Sequence, residues 1–120
     1  MQKLTKAEEE IMQMFWDHGP STVSELIDRM EEPKPPHSSV SSIVRILEKK
    51  EFLYHKPAGR SYRYFLKIEK KDYSRFSLKR LVSNYFEGSM KELVSFLVKE
   101  EDLSLSELEK IKQQIEKDKL

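Results

Sequence analysis

The sequence predicts a mainly α fold with one small β-hairpin, and three observations carry that prediction. Apolar residues recur at helical spacing in three N-terminal stretches, and residues that cap or break helices punctuate them. From Leu53 the run LYHKPAGRSYRYFLKI switches to alternation about a Pro-Ala-Gly turn. Beyond Lys71 the alternation stops and amphipathic helical spacing returns. Three helices followed by a two-stranded hairpin is the order of a winged helix-turn-helix, here with a set of short helices appended.

The N-terminal helices carry their own start signals. Thr5-Lys6-Ala7-Glu8 is a capping box, after which Ile11, Met12, Phe15 and Trp16 form a buried stripe until Gly19-Pro20 stops the helix. Thr22-Val23-Ser24-Glu25 is a second box, opening a short helix with Val23, Leu26, Ile27 and Met30 inward. Glu31 to Pro36 holds three prolines and reads as a turn. Ser38 or Ser39 is expected to cap the third helix, whose core face is Val40, Ile43, Val44 and Leu47. In the hairpin Leu53 and His55 precede the turn, Pro57-Ala58-Gly59 makes it, Arg60 sits at the tip and Ser61 to Phe65 returns. Alternation puts Ser61 and Arg63 on one face and Tyr62 and Tyr64 on the other, so the tyrosines are expected to pack on the first helix.

The C-terminal part reads as three more helices. Leu78, Leu81, Val82 and Tyr85 line one side of a helix from Tyr73 to Phe86, which Gly88 ends. Ser89 caps a second with Leu93, Val94, Phe96, Leu97 and Val98, and Ser104 caps a last one with Leu105, Leu108, Ile111 and Ile115. Helices this short are marginal in water, so they are expected to pack against a second copy of the chain. The expected dimerisation residues are Leu81, Tyr85, Leu93, Phe96, Leu97, Leu108 and Ile111. Residues 1–71 then form the winged-helix domain and 72–120 a helical dimerisation domain.

With 120 residues, 38% hydrophobic and 36% charged, the chain supports one domain, or one small domain with an oligomerisation segment. It has no cysteine, which excludes a disulfide framework and a thiolate metal site and fits a reducing compartment. No apolar run approaches membrane length and the N-terminus lacks a leader pattern, so a cytoplasmic protein without membrane insertion is expected. The formal net charge of +1 hides a segregation along the chain. Between Lys34 and Lys71 there are ten Lys/Arg against three Asp/Glu, whereas residues 1–33 carry three against eight. Positive charge gathered on the third helix and hairpin is the footprint of phosphate contact.

Ser38, Ser39, Ser41, Ser42, Arg45 and Lys49 are the expected groove-facing residues of the third helix. Serines are poor helix formers for a solvent face, yet they let a helix approach base edges closely, and an arginine beside them can fork onto a guanine. Arg60, Lys56 and Arg63 of the hairpin are expected on the phosphates. His18, His37 and His55 are dispersed without carboxylate partners at helical distance, so no metal and no cofactor is expected. The runs Glu8-Glu9-Glu10 and Glu100-Glu101-Asp102 read as helix-end acids and solvated faces. No phosphate loop, nucleophile elbow or zinc-binding helix motif is present, which leaves an enzyme reading without residues. Two readings stay open on residues alone: a basic face for double-stranded DNA, or the same face docked on an acidic protein surface without DNA.

LTKAEEEIMQMFW at the start, SVSSIVRILEKKEFL, HKPAGRSYRYF and SNYFEGSMKELVSFLVKEEDLSLSELEKI together resemble the penicillinase-repressor family of bacterial transcription regulators, the BlaI/MecI type, over nearly the full length. The resemblance implies a homodimeric repressor on palindromic operator DNA, with an N-terminal winged helix and a C-terminal helical dimerisation domain. It also implies a membrane-bound sensor metalloprotease as partner, triggering cleavage in the C-terminal domain at an Asn-Phe bond. The aligned pair here is Ser95-Phe96. Two further departures are Ile46, where relatives commonly carry arginine, and Glu51, where they carry glycine. The cysteine cluster of copper-responsive relatives is absent.

Overall fold

The computed structural model describes residues 1–100 and 103–118, so Glu101 and Asp102, read above as part of a solvated acidic run, lie outside the described residues. The elements are α1 (Lys6–His18), α2 (Val23–Asp28), α3 (His37–Lys49), β1 (Leu53–Ala58), β2 (Ser61–Leu66), α4 (Lys70–Tyr85), α5 (Met90–Glu100) and α6 (Leu105–Asp118). They fall into two compact units, Met1–Ser77 and Leu78–Leu120.

Both N-terminal capping boxes form. The Glu8 N–H donates to Thr5 Oγ1 at 3.2 Å while the Thr5 N–H donates to Glu8 Oε1 at 2.9 Å. Thr22 and Glu25 repeat the exchange at 3.2 and 3.0 Å. The start of α3 departs from expectation, because no side chain caps it and neither Ser38 nor Ser39 precedes the helix. Pro36, held at φ −61° and ψ 144°, is the N-cap instead. Its carbonyl accepts from the Ser39 and Val40 N–H groups at 3.1 and 3.4 Å, so the serines fall inside the first turn.

The end of α3 closes by a Schellman motif. The Phe52 N–H reaches the Leu47 carbonyl at 3.0 Å and the Glu51 N–H reaches that of Glu48 at 3.0 Å, with Glu51 between them at φ 70°. Leu47 and Phe52, the apolar pair that accompanies such a cap, are both buried.

The hairpin is antiparallel, pairing Leu53 with Leu66 through to Ala58 with Ser61. Its turn is therefore the two residues Gly59-Arg60, with Pro57 and Ala58 inside β1 rather than in the turn. Gly59 at φ 66° takes the left-handed place such a turn demands. Pro57 is tolerated because β1 is an edge strand whose outer donors have no strand to reach. On the other side Ser21 and Tyr64 exchange backbone hydrogen bonds at 3.1 and 2.9 Å, so the loop before α2 is tied to β2.

The core of the first unit joins Met12 and Phe15 of α1, Leu26 of α2, Val44 and Leu47 of α3, and Phe52 and Leu53 at the wing's base. The tyrosines of β2 do not both pack inward: Tyr64 is buried, whereas Tyr62 is 52% exposed. The ring on α1 is instead Tyr73, on the first half of α4. It lies 5.8 Å from the Trp16 ring and 5.5 Å from that of Phe52, and its hydroxyl accepts from the Leu4 N–H at 2.9 Å. The Trp16 indole N–H donates to the Ile68 carbonyl at 3.0 Å. Glu8 is also unlike its expected solvated face, being buried with its carboxylate 2.6 Å from Lys50 Nζ.

In the second unit Ser89 and Ser104 cap as expected, accepting from the Glu92 and Glu107 N–H groups at 3.2 and 3.0 Å. The Phe86 and Phe96 rings meet edge to face at 5.4 Å. Val82 is buried, but α5 buries none of its residues. Leu81, Tyr85, Phe96 and Ile111 are exposed, and Leu93, Leu97 and Leu108 are half-buried.

Candidate nucleic-acid interface

Helix α3 presents its polar face because its apolar stripe is fully used by the core. Ser38, Ser39, Ser42, Arg45 and Lys49 are exposed along it. The Ser42 hydroxyl donates back to the Ser38 carbonyl at 2.9 Å, which holds that side chain against its own helix. Ser41 differs from the expected placement. It is only 9% exposed, turned away from the open face toward α2 and β2.

Ser41 and Arg45 line a cleft of about 240 Å³ together with Thr22 and Ser24 of the α2 start and with Arg60 and Tyr64 of the wing. Two elements distant in sequence thus meet beside α3. Burial pushes the Tyr64 phenol above its ordinary pKa, and the nearby Glu48 carboxylate adds to this while Arg45 opposes it. The phenol therefore stays protonated at neutral pH and remains a donor.

The wing holds its cations in different settings. Arg60 occupies the exposed turn and Lys56 is exposed, its ammonium 5.2 Å from the Phe65 ring centroid. Arg63 is half-buried and engaged by the protein itself, with Nη1 2.9 Å from Glu25 Oε1 and 3.4 Å from the Pro20 carbonyl. It braces β2 against α2. Glu25 is held below the usual carboxylate range by the Thr22 N–H that donates to it, with the Arg63 guanidinium adding to the effect.

Several residues that shape this surface gave no sign in the sequence reading. His55, which has no carboxylate partner at helical distance, meets one from α3 instead: its Nδ1 lies 2.5 Å from Glu48 Oε2 and its ring 4.5 Å from that of Tyr62. This contact pins β1 to α3. Lys34 donates to the Ile27, Asp28 and Met30 carbonyls at 2.9 to 3.1 Å, closing the end of α2. Only tertiary placement creates these pairings. Ile46, 42% exposed on α3, was legible: it falls outside the Val40, Ile43, Val44 and Leu47 stripe. Among the described residues no group of three or more His, Asp or Glu is placed to hold a metal ion, and no helix is long and apolar enough to cross a membrane.

The penicillinase repressor family model matches residues 4–117. The methicillin resistance regulatory protein MecI of Staphylococcus aureus strain N315 is 23% identical over 111 residues, covering 92% of this chain and 90% of its own. A penicillinase repressor of Bacillus licheniformis is 23% identical over 119 residues, covering 98% and 92%. Among solved structures, the DNA-binding domain of the repressor BlaI aligns with a TM-score of 0.52 at 27% identity, over 61% of this chain and 94% of that one. Monomeric Bacillus licheniformis BlaI in complex with the blaP half-operator aligns with a TM-score of 0.50 at 26% identity, over 60% and 89%.

Proposed function

Because the chain belongs to the penicillinase repressor family, a family of repressors and not of enzymes, we propose that it is a DNA-binding transcriptional repressor that works as a homodimer on operator DNA in the cytoplasm. The observation that carries this reading is the exposed serine and arginine face of α3 standing beside the Arg60 turn, in a fold similar to that of BlaI bound to a half-operator. Helix α3 enters a major groove, where Ser38, Ser39, Ser42 and Arg45 approach base edges. Ser41 reaches only from the cleft wall. Lys49, Lys56 and Arg60 take phosphates. Family membership favours this over the protein-docking alternative.

Two copies place their α3 helices about one helical turn (~34 Å) or a multiple apart on the duplex. The second unit supplies the dimer contact through Leu81, Tyr85, Leu93, Phe96, Leu97, Leu108 and Ile111, apolar side chains that one copy leaves exposed or half-buried. Repression follows from occupancy and relief from separating the subunits, because a monomer loses the second half-site. We assign relief to a membrane sensor metalloprotease acting at Ser95-Phe96. That bond lies within α5, so the helix must open locally before a protease can hold it extended.

A gel shift on the region upstream of the chain's own coding sequence, repeated at raised salt, tests the DNA reading. A shifted band that outlasts competition by random DNA is expected. Equal competition by random and upstream DNA overturns it. Incubation with a sensor metalloprotease of the penicillinase-repressor type, followed by mass measurement, tests the cleavage: fragments ending at Ser95 support it and an intact chain refutes it.

A further inference from the structure

The polar face of α3 contains one large apolar side chain. Ser39, Ser42, Ile46 and Lys49 follow one another at intervals of three and four, which lays them along a single exposed line of the helix. Ile46 is 42% exposed, while Ile43 and Leu47 beside it turn to the core. Nothing in the first unit calls Ile46 inward, since the core seals over Val40, Val44 and Leu47 without it. A single exposed isoleucine on an ordinary surface needs no explanation. On the face of a helix that approaches base edges it is a different matter, because each neighbour there is polar and short or cationic.

The chemistry around Ile46 narrows what it meets. Ser42, one turn before it, has its proton committed to the Ser38 carbonyl at 2.9 Å. Beside Ile46, Ser42 can therefore still accept through its hydroxyl oxygen but has no proton free to donate, so this stretch of the helix offers no donor to a base acceptor. Of the groups on the major-groove floor, only the thymine C5-methyl needs no hydrogen-bond partner. A guanine edge would leave two acceptors, and an adenine edge one, facing a side chain that satisfies neither.

We infer that Ile46 reads the C5-methyl group of a thymine, making this position a sequence-specificity determinant and fixing an A·T pair in each half-site. The inference rests on the DNA-binding reading above. The methyl is removed from water against the Ile46 side chain, and burying one such carbon corresponds to about fourfold in affinity.

The test uses the full chain and duplexes enriched by it from a random-sequence pool. Each enriched thymine is replaced in turn by deoxyuridine, which removes the methyl and leaves pairing intact. The wild-type chain is expected to bind one such substituted duplex about fourfold more weakly per half-site. Ile46→Ala, expected to melt close to the wild type because the side chain lies outside the core, is expected to bind the thymine and deoxyuridine duplexes equally. Wild-type binding that ignores every replacement overturns the inference while the enriched consensus leaves DNA binding standing. Methyl sensitivity undiminished in Ile46→Ala also overturns it and assigns the methyl to another residue. A pool from which no sequence is enriched overturns both readings together.

Discussion

Glu51 sits at φ 70°, the left-handed conformation in which any residue with a Cβ is strained by about 1–2 kcal/mol and glycine is not. Its ion pair with Lys67 is exposed on both sides and compensates little. Glu51→Gly is therefore expected to stabilise the fold by about 0.5–1 kcal/mol after the added freedom of the unfolded chain is counted, read from urea unfolding. The sequence marked this position only through the resemblance, because helical period says nothing about the sign of φ. Glu8 is the second consequential residue. Burial works to raise its carboxyl, yet hydrogen bonds from Lys50 and the Thr5 N–H, with the Lys50 charge, outweigh this and hold it below its ordinary value. A group depressed on folding gives stability that is complete above the ordinary glutamate range of about 4.3 and is lost as pH falls through the folded value beneath it. Glu8→Gln should cost on the order of 1–2 kcal/mol at pH 7 and flatten stability between pH 5 and 3, to be checked by denaturant titrations across that range; an unflattened profile would remove the assignment. At the wing, Arg60→Ala is expected to lower the slope of log affinity against log salt by about 0.9, the release of one phosphate's counterion.

At the scale of elements, what local chemistry governs was legible and what tertiary placement governs was not. Thr5, Thr22, Ser89 and Ser104 each cap within four residues of themselves, so the sequence carried both partners. The α3 start was misplaced because its cap is a proline carbonyl and not a side chain. The hairpin turn was set too early because Pro57, a turn former by preference, lies on an edge strand that tolerates it. The ion pair of Arg63 with Glu25 was not legible, since nothing in its own strand announces that partner. Two clasps, Glu25 to Arg63 and Glu48 to His55, hold the wing to α2 and α3. Arg63→Ala should accordingly weaken operator binding by loosening the wing while leaving the salt slope at its wild-type value, in contrast to Arg60→Ala. A drop in slope comparable to that of Arg60→Ala would return Arg63 to the phosphates.

At the scale of the whole molecule, the two units differ in how much apolar surface they close. The first has a core of fully buried side chains, whereas in the second α5 buries nothing and Tyr85 is 77% exposed. That contrast is what the proposed homodimer interface requires of one copy by itself. Leu93→Asp or Leu97→Asp is expected to give monomers in sedimentation velocity with the thermal unfolding of the first unit unchanged; dimers that survive both substitutions would move the contact off α5.

The Tyr73 hydroxyl on the Leu4 N–H, and its ring against Trp16 and Phe52, reach past the end of the hairpin and back to the first residues of the chain. A fragment truncated at Lys71 would therefore expose the indole of Trp16 and leave an amide unanswered, where one carried on to Ser77 keeps both covered. Anyone trimming the protein to a minimal head for spectroscopy should cut after that helical turn, and the red shift of the lone tryptophan's emission would report a cut made too soon.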